Sequence, residues 1–342
     1  MKVGILPAPN AGIRTMERAG QLGRLTRHFA AYQDAGHELA YFTCLPDDPA
    51  WICPVVRPPA FSASNGTRRA ILRPLRESRA FRRPDVFRCM SLSASLSGMT
   101  ARLVWRTPFV VSHGAKYEEI ARLHGRPAWK WTALRHLAFR LASAVIVPNA
   151  LQAAELRSRF PSTTIVHVPN WIDTAAFHPV EPYTGPPTVL YVGRLVVEKN
   201  LERLARVCRR RGWRLICVGE GPLRADLTAL GAACPGAVPW ERLPEYHVRA
   251  HVFCLPSYTE GHPKALLEAM ASGLPCAVST GVDGMTGPHA AFPPENERAM
   301  GEAIAYLMAH GPDFVNGTRE AALAYDIATV LPQEIRLVES VR

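Results

Sequence analysis

The chain has 342 residues, longer than one hydrophobic core usually supports, and so it suits two domains. Hydrophobic residues at 48% and charged residues at 20% are ordinary for a soluble globular protein, and no low-complexity tract or short repeat breaks that balance. The formal net charge of +11 belongs to the first half alone: residues 1–180 carry 24 Lys and Arg against 11 Asp and Glu, and the remainder carries 16 against 18. An anionic partner is therefore expected on the first half.

The opening "MKVGILPAPNAG" lacks the longer apolar core and cleavage site of a secretion signal. Around "LAFRLASAVIVPNAL" the apolar run is interrupted by Arg140 and Pro148, too early for a membrane span. Eight scattered cysteines contain no C-x-x-C pair, so neither a zinc site nor a disulfide framework is indicated, and the expected setting is a reducing cytoplasm.

In chain order, "KVGILPA" reads as a strand, followed by helical sequence that stops at Gly36. Then come "HELAYFTC", "DVFRCMS", "PFVVSHG", "SAVIVPN" and "TIVHVPN", each a strand candidate, with helical sequence between most neighbours. Within this half, "RRAILRPLRESRAFRRPDVFR" (68–88) holds eight arginines against Glu77 and Asp85. Ile71, Leu72, Leu75 and Phe81 fall roughly on one helical face of it, with Pro74 as a bend or limit. "HPVEPYTGPPT" (178–188) is the most turn-rich connector and the expected domain boundary. After it the pattern restarts with "TVLYVGRL", "RLICVGEG", "HVFCLPS" and "PCAVST". The expected fold class is α/β, with two tandem Rossmann-like doubly wound domains. Their boundaries are 1–177, a linker at 178–187, 188–326, and a C-terminal helix over 327–342. In such open sheets ligands bind beyond the carboxyl ends of strands, so the residues just after strands carry the functional argument.

Three strand ends of the second half are polar or glycine-rich. "YVGRLVVEKN" places Gly193 and Arg194 at a strand end and Lys199 near the next helix start. Glycine allows close backbone approach, arginine offers a planar fork to phosphate oxygens and lysine a point charge. Alone, the stretch reads equally well as a turn with two solvated cations. "CVGEGPL" has Gly219 and Gly221 in a tight strand-to-helix turn that needs no ligand to explain it. "EGHPKALLEAMASGLP" (260–275) holds Glu260 before a helix and Glu268 inside it, with Pro263 as the expected first helical residue and Gly273 and Pro275 as the stop. The amides of Lys264 and Ala265 would then lie at a positive helix end, an anion site. A carboxylate only accepts hydrogen bonds and can take two hydroxyls, which suits adjacent hydroxyls of a sugar ring. Either glutamate alone would read as a solvated or helix-dipole acid.

Taken in order, "GRLVVEKN", "VGEGPL", "LPSYTE" and the Glu-x7-Glu segment resemble the retaining glycosyltransferases of family 4, which have the GT-B fold. "VPNWIDTAAFHP" (168–179) is similar to the segment that closes the first domain in that family, and the resemblance runs from about residue 108 to 310. It implies two domains facing across a cleft, with the terminal "LAYDIATVLPQEIRLVESVR" folding back on the first. It implies that Glu260 faces the donor sugar's hydroxyls, Glu268 the nucleotide ribose, and Arg194 and Lys199 the diphosphate. Gly193, Gly219, Gly261, His262, Pro263, Lys264 and Ala265 would complete the donor pocket, with the backbone at Val238 and Pro239 against the base. From the first half, His113 in "VSHGAKYEE" matches a polar residue near the transferred sugar, although a lone histidine there is more often structural. The family's glycine pair after the first strand is absent, and Gly12 or Gly20 could serve instead. The loop after "STGVDG" is shorter than the family's, which leaves the donor-side rim open.

The resemblance further implies a sugar moved from a nucleotide diphosphate, UDP ahead of GDP, to a saccharide or lipid-linked acceptor in cell-envelope polysaccharide or glycolipid synthesis. No cofactor and no metal is expected, because Arg194, Lys199 and a helix N-terminus would meet the leaving charge and the chain has no Asp-x-Asp. Arg68, Arg69, Arg73, Arg76 and Arg79 are candidates for an anionic acceptor or the inner membrane surface, where each basic residue contributes about 1 kcal/mol. A solvated basic face explains them as well. Two further classes remain: a sugar-nucleotide epimerase of the same fold, which needs no acceptor, and a basic nucleic-acid-binding protein. The second would show steep salt dependence, and no helix-turn-helix, zinc or RNA-binding signature supports it.

Overall fold

The structure is a computed structural model that describes residues 1–9, 11–43, 45, 49–56, 66–179, 183–282, 284 and 287–342, without the side chains of 66–69 and 312. It divides into two compact units, one of Met1–Pro169 with Leu331–Arg342 and one of Asn170–Val330.

The first unit is built on seven strands: β1 (Lys2–Leu6), β2 (Glu38–Phe42), β3 (Val55–Val56), β4 (Val86–Cys89), β5 (Phe109–Ser112), β6 (Ala144–Val147) and β7 (Ile165–His167). Their order is β3-β2-β1-β4-β5-β6-β7 and every pairing is parallel. Continuous apolar runs make this possible. All four residues of β4 and all four of β6 are buried, as strands covered by helices on both faces require. The second unit has six: β8 (Thr188–Val192), β9 (Arg214–Val218), β10 (Ala233–Gly236), β11 (Val252–Leu255), β12 (Cys276–Ser279) and β13 (Ala290–Phe292). Their order is β10-β9-β8-β11-β12-β13, again all parallel. In both sheets the order reverses beside the first strand, between β1 and β4 and between β8 and β11. Such reversals open a crevice beyond the strand ends. Among the described residues no helix is long and apolar enough to cross a membrane.

Every strand expected from the sequence is present. The structure adds β3, β10 and β13, which are two to four residues long and carry too little period to be read. The units divide at Pro169/Asn170 rather than at the proline-rich connector, because Asn170–Phe177 is bound into the second unit. Ile172 donates its N–H to Tyr325 O (2.9 Å) and accepts from the Ile327 N–H (2.8 Å). Phe177 is fully buried against Trp240, ring centroids 5.4 Å apart. Of the expected linker 178–187, residues 180–182 lie outside the described residues. The expected C-terminal helix forms over Ile327–Ser340, and its residues from Leu331 onward belong to the first unit.

The arginine-rich stretch needs a correction. It forms helices Gly66–Arg76 and Ser78–Phe81, but Arg73 points inward and is 3% exposed. Its guanidinium donates to the carbonyls of Thr43 and Val56 and to Glu77, and lies over the rings of Phe42 and Phe81. Arg73 is a structural cation that binds backbone oxygens, and it is not a surface ligand. Of the apolar set, only Phe81 is buried. Ile71, Leu72 and Leu75 are 41–50% exposed.

A second buried charge anchors the C-terminal segment. Glu334 accepts at Oε1 from Arg88 Nε (2.9 Å) and the Tyr32 hydroxyl (2.9 Å), with His28 Nε2 at 3.2 Å. Arg88 also donates to Cys89 O and Ser112 Oγ, both at 2.7 Å. Burial by itself would raise the Glu334 carboxyl, yet Arg88 and then His28 outweigh it and hold it well below the usual carboxylate range. A depressed folded pKa gives stability that is whole above the unfolded value and is lost as pH falls through the folded one. Stability should therefore persist through mildly acidic pH, and Glu334→Ala should cost about 3–5 kcal/mol by stranding Arg88. Urea unfolding of the variant at neutral pH checks the magnitude.

Candidate functional site

The polar residues of the second unit gather where β8 and β11 end. The extended chain leaving β8 turns at Gly193, and the loop Arg194–Lys199 packs against the next strand-to-helix turn. Here glycine is required sterically. A Cβ on Gly219 would lie 2.0 Å from Gly193 O, and one on Gly221 would lie 2.2 Å from Leu195 O. Both turns are therefore held by backbone contact, with Leu195 N–H donating to Glu220 O at 2.9 Å. The structural reading of Gly219 and Gly221 is sufficient by itself. Their contribution to a site is to fix the Arg194 loop.

From that loop Arg194 extends outward, its side chain 67% exposed and tethered by Nη2 to Glu198 Oε1 at 3.1 Å. Tyr191, buried in β8, donates its hydroxyl to Arg194 O (3.0 Å) and so fixes the backbone beneath the guanidinium. Lys199 turns inward: its Nζ meets Glu260 Oε1 at 2.5 Å, with both side chains 13% exposed. The Ser257 hydroxyl donates to the same oxygen at 2.9 Å, and Glu260 N–H donates to Gly281 O at 3.1 Å. Lys199 follows β8 and Glu260 follows β11, so this ion pair spans the place where the sheet order reverses. Asn200, left-handed at φ 56°, ties the two ends together by donating to Pro256 O (3.1 Å) and Pro294 O (2.7 Å).

The segment after Glu260 runs through buried Gly261, His262 and Pro263 into the helix Lys264–Ala271. Pro263 takes the N-cap with extended backbone, one position before its expected place, and its own ring offers no capping group. Lys264 and Ala265, half-buried, form that turn. His262 is held in place by Asn170, whose backbone N–H donates to Nδ1 (3.2 Å) and whose side-chain amide donates to His262 O (2.5 Å). Glu268 is 1% exposed, and its Oε1 accepts the Trp240 indole N–H at 2.8 Å. Trp240 follows the segment at Val238 and Pro239, so Glu268 also fixes the stretch expected to face a base. Val238 is half-buried and Pro239 exposed.

The structure thus brings Gly193, Arg194, Lys199, Gly219, Glu260 and the start of the 264–271 helix to one sheet edge, with Glu268 one layer deeper. Asn170, Asn200, Ser257 and the Trp240 side chain were not singled out from the sequence. Asn200 closes the "GRLVVEKN" stretch and was the one with a signal, being an asparagine at a helix start. Ser257 lies within "LPSYTE", three residues before Glu260, whereas Asn170 and Trp240 reach the site by contacts across the fold.

In the first unit, His113 follows β5 and is 1% exposed; its N–H donates to Ile146 O at 2.8 Å. The ring stands edge-on to Phe139 (5.3 Å), and Nδ1 has no hydrogen-bond partner among the described residues. Burial, and then Arg135, bring the imidazole down to about 3, so it is neutral. Gly12 caps the helix Ile13–Arg18 that follows β1. Arg76 and Arg79 are exposed, whereas the side chains of Arg68 and Arg69 lie outside the described residues, as do residues 283, 285 and 286 of the donor-side rim.

Replacing Trp240 with Phe removes the indole donor from a buried carboxylate oxygen. The expected loss is about 1–3 kcal/mol of stability, read by urea unfolding. An unchanged midpoint would contradict the enclosed Trp240–Glu268 contact.

Two family models match: Glycosyltransferase Family 4 over residues 22–176 and Glycosyl transferases group 1 over residues 186–310. A GDP-mannose-dependent alpha-mannosyltransferase of Mycobacterium tuberculosis is 28% identical over 237 residues, covering 64% of this chain and 61% of that protein. Other curated relatives match over less, and the chain spans under two thirds of the length of the curated relatives it matches. Among solved structures, sucrose-phosphate synthase of Thermosynechococcus elongatus superposes with a TM-score of 0.84 at 19% identity, covering 100% of this chain and 99% of that one. Anabaena HepE in complex with UDP and glucose gives 0.77 at 14% identity, covering 99% of both chains. With two parallel doubly wound units and matches to both halves, the chain belongs to the family 4 glycosyltransferases and has the GT-B fold.

Proposed function

We propose that the protein is a metal-independent, retaining hexosyltransferase. It would take a sugar from a nucleoside diphosphate donor and pass it to a saccharide or lipid-linked saccharide, in envelope polysaccharide or glycolipid synthesis. The observation that carries this reading is the Lys199–Glu260 ion pair across the ends of β8 and β11, with exposed Arg194 on the same loop. Rupture of a glycosyl–phosphate bond leaves negative charge on the diphosphate and an oxocarbenium-like sugar. Arg194, Lys199 and the start of the 264–271 helix supply positive potential where the leaving charge grows. Lys199 is then shared between the diphosphate and Glu260, which in turn is aligned by Ser257 toward the sugar hydroxyls. Glu268 accepts from the ribose. Because the leaving phosphate can take the acceptor's proton on the same face, retention needs no covalent carboxylate, and Glu260 is a positioning group.

Uridine is placed first among the bases, since HepE was solved with UDP, and guanosine second, since the mycobacterial relative is named for GDP-mannose. The acceptor side is assigned to the basic first unit. Exposed Arg76 and Arg79 beside exposed Ile71, Leu72 and Leu75 suit a peripheral site at an anionic inner membrane face.

A thermal-shift screen of uridine, guanosine and adenosine diphosphate sugars, with and without EDTA, tests the donor. One base should stabilise the protein and chelation should not matter. Glu268→Ala should weaken nucleotide binding roughly tenfold, whereas Glu260→Ala should leave it and lower turnover about a hundredfold. Turnover of donor without any acceptor beyond water, giving an isomeric nucleotide sugar, would overturn the transferase reading.

A further inference from the structure

Cys217 in β9 and Cys234 in β10 stand side by side on neighbouring parallel strands. Ala233 pairs with Ile216 and Gly236 with Val218, so the one-residue shift between them leaves Cys234 and Pro235 opposite Cys217. Paired strands run about 4.8 Å apart, within the roughly 4.4–6.8 Å between Cα atoms that a disulfide bridges. The two thiols are close enough to act on each other's titration, Cys217 lowering Cys234 and itself being raised. Of the described cysteines Cys234 alone is not buried; Cys53, Cys89, Cys208, Cys217, Cys254 and Cys276 are enclosed.

The surroundings of Cys234 favour the thiolate. Its pKa is brought down to about 6, first by the Cys217 hydrogen bond, then, against partial burial, by the Thr228 hydroxyl and the Arg224 guanidinium, with Glu220 opposing. Arg224 is held there by Cys234 O (Nη2, 3.2 Å) and Glu220 Oε1 (Nη1, 3.0 Å). Burial raises the Cys208, Cys254 and Cys276 thiols and it raises Cys217 as well, so Cys234 is the attacking thiol and Cys217 serves only as the second, placed by its strand beside it.

We propose that Cys234 is a peroxide-reactive modification site with Cys217 as its resolving thiol, and that the disulfide they form acts on the donor loops. The oxidant is hydrogen peroxide. The Cys234 thiolate attacks one peroxide oxygen: an S–O bond forms, the O–O bond breaks, and the departing hydroxide takes a proton from solvent. Cys217 sulfur then attacks the sulfenic sulfur. An S–S bond forms, the S–O bond breaks, and the leaving hydroxide takes the Cys217 proton. Two thiols lose two electrons, and one peroxide becomes two waters.

The consequence follows from where the strands lead. β9 continues into Gly219, whose N–H donates to Gly236 O at the end of β10 (2.8 Å). β10 continues into Val238 and Pro239 and then Trp240, which holds Glu268. A bond of about 2.05 Å between the sulfurs draws in the bulged strand and shifts both turns. This effect on affinity rests on the donor reading above; the disulfide itself does not.

Full-length protein treated with a small excess of hydrogen peroxide should yield a peptide pair joined through Cys217 and Cys234, two hydrogens lighter than its parts. Cys217→Ser should instead trap a dimedone-reactive Cys234, and Cys234→Ser should give neither product. Oxidised wild type should bind the nucleotide diphosphate at least about fivefold more weakly, with recovery in dithiothreitol. A cross-link to another cysteine, or unmodified thiols after treatment, would overturn the pair, and peptide mapping of wild type decides this even if the variants fold poorly. A disulfide that leaves affinity unchanged would overturn the coupling. Reduced protein that binds no nucleotide at all would count against the donor reading instead, while the cross-link still reports on the cysteines.

Discussion

Lys199 and Glu260 arrive at one point from different strands, and their ion pair is the contact on which the second unit's chemistry depends. Each charge is largely withdrawn from water, and the pairing offsets the cost of that withdrawal. The pair is stable because Ser257 satisfies the same carboxylate oxygen while Asn200 binds the two strand ends into a single frame. A ligand phosphate offered to Lys199 meets an ammonium that is already desolvated and aimed. Little reorganisation remains to be done as charge develops, which is the condition under which fixed charges accelerate a reaction most.

The frame beneath that pair is backbone rather than side chain. Gly219 and Gly221 lie so close to Gly193 and Leu195 that no other residue fits without movement. The strand-end loops therefore behave as one stacked unit, and Arg194 is carried on it as the flexible outer cation. Glu268 belongs to a different layer. Enclosed beneath the loops and bonded to Trp240, it ties the helix that begins at the site to the segment leaving β10. The same two strands, β9 and β10, carry the paired cysteines, so that the only half-exposed thiol among the described residues sits directly behind the donor loops.

The first unit places buried charge differently. Arg88, in a central strand, and Arg73, in a helix, are both internal cations with several acceptors each, and one of them joins the C-terminal segment to the sheet through Glu334. An arginine-rich sequence thus divides between structural cations that complete backbone hydrogen bonding and exposed ones available to a partner. Composition cannot tell the two apart, since a guanidinium with five donors serves equally well in either place.

Strand period, glycine and proline punctuation, and the alternation of strand with helix were local properties, so the sequence by itself determined the two doubly wound units, nearly every strand, and the loops that bear Arg194, Lys199 and Glu260. Pro263, Gly273 and Pro275 likewise determined the helix that begins after Glu260 and carries Glu268. Only the tertiary structure decided that Lys199 would pair with Glu260, that Trp240 would enclose Glu268, that Asn170–Phe177 would join the second unit, and that Arg73 would point inward. Each of these depends on which residues distant in the chain become neighbours when parallel strands take their order in the sheet. Two cysteines separated by a helix became adjacent for the same reason, through a register that no local pattern contains.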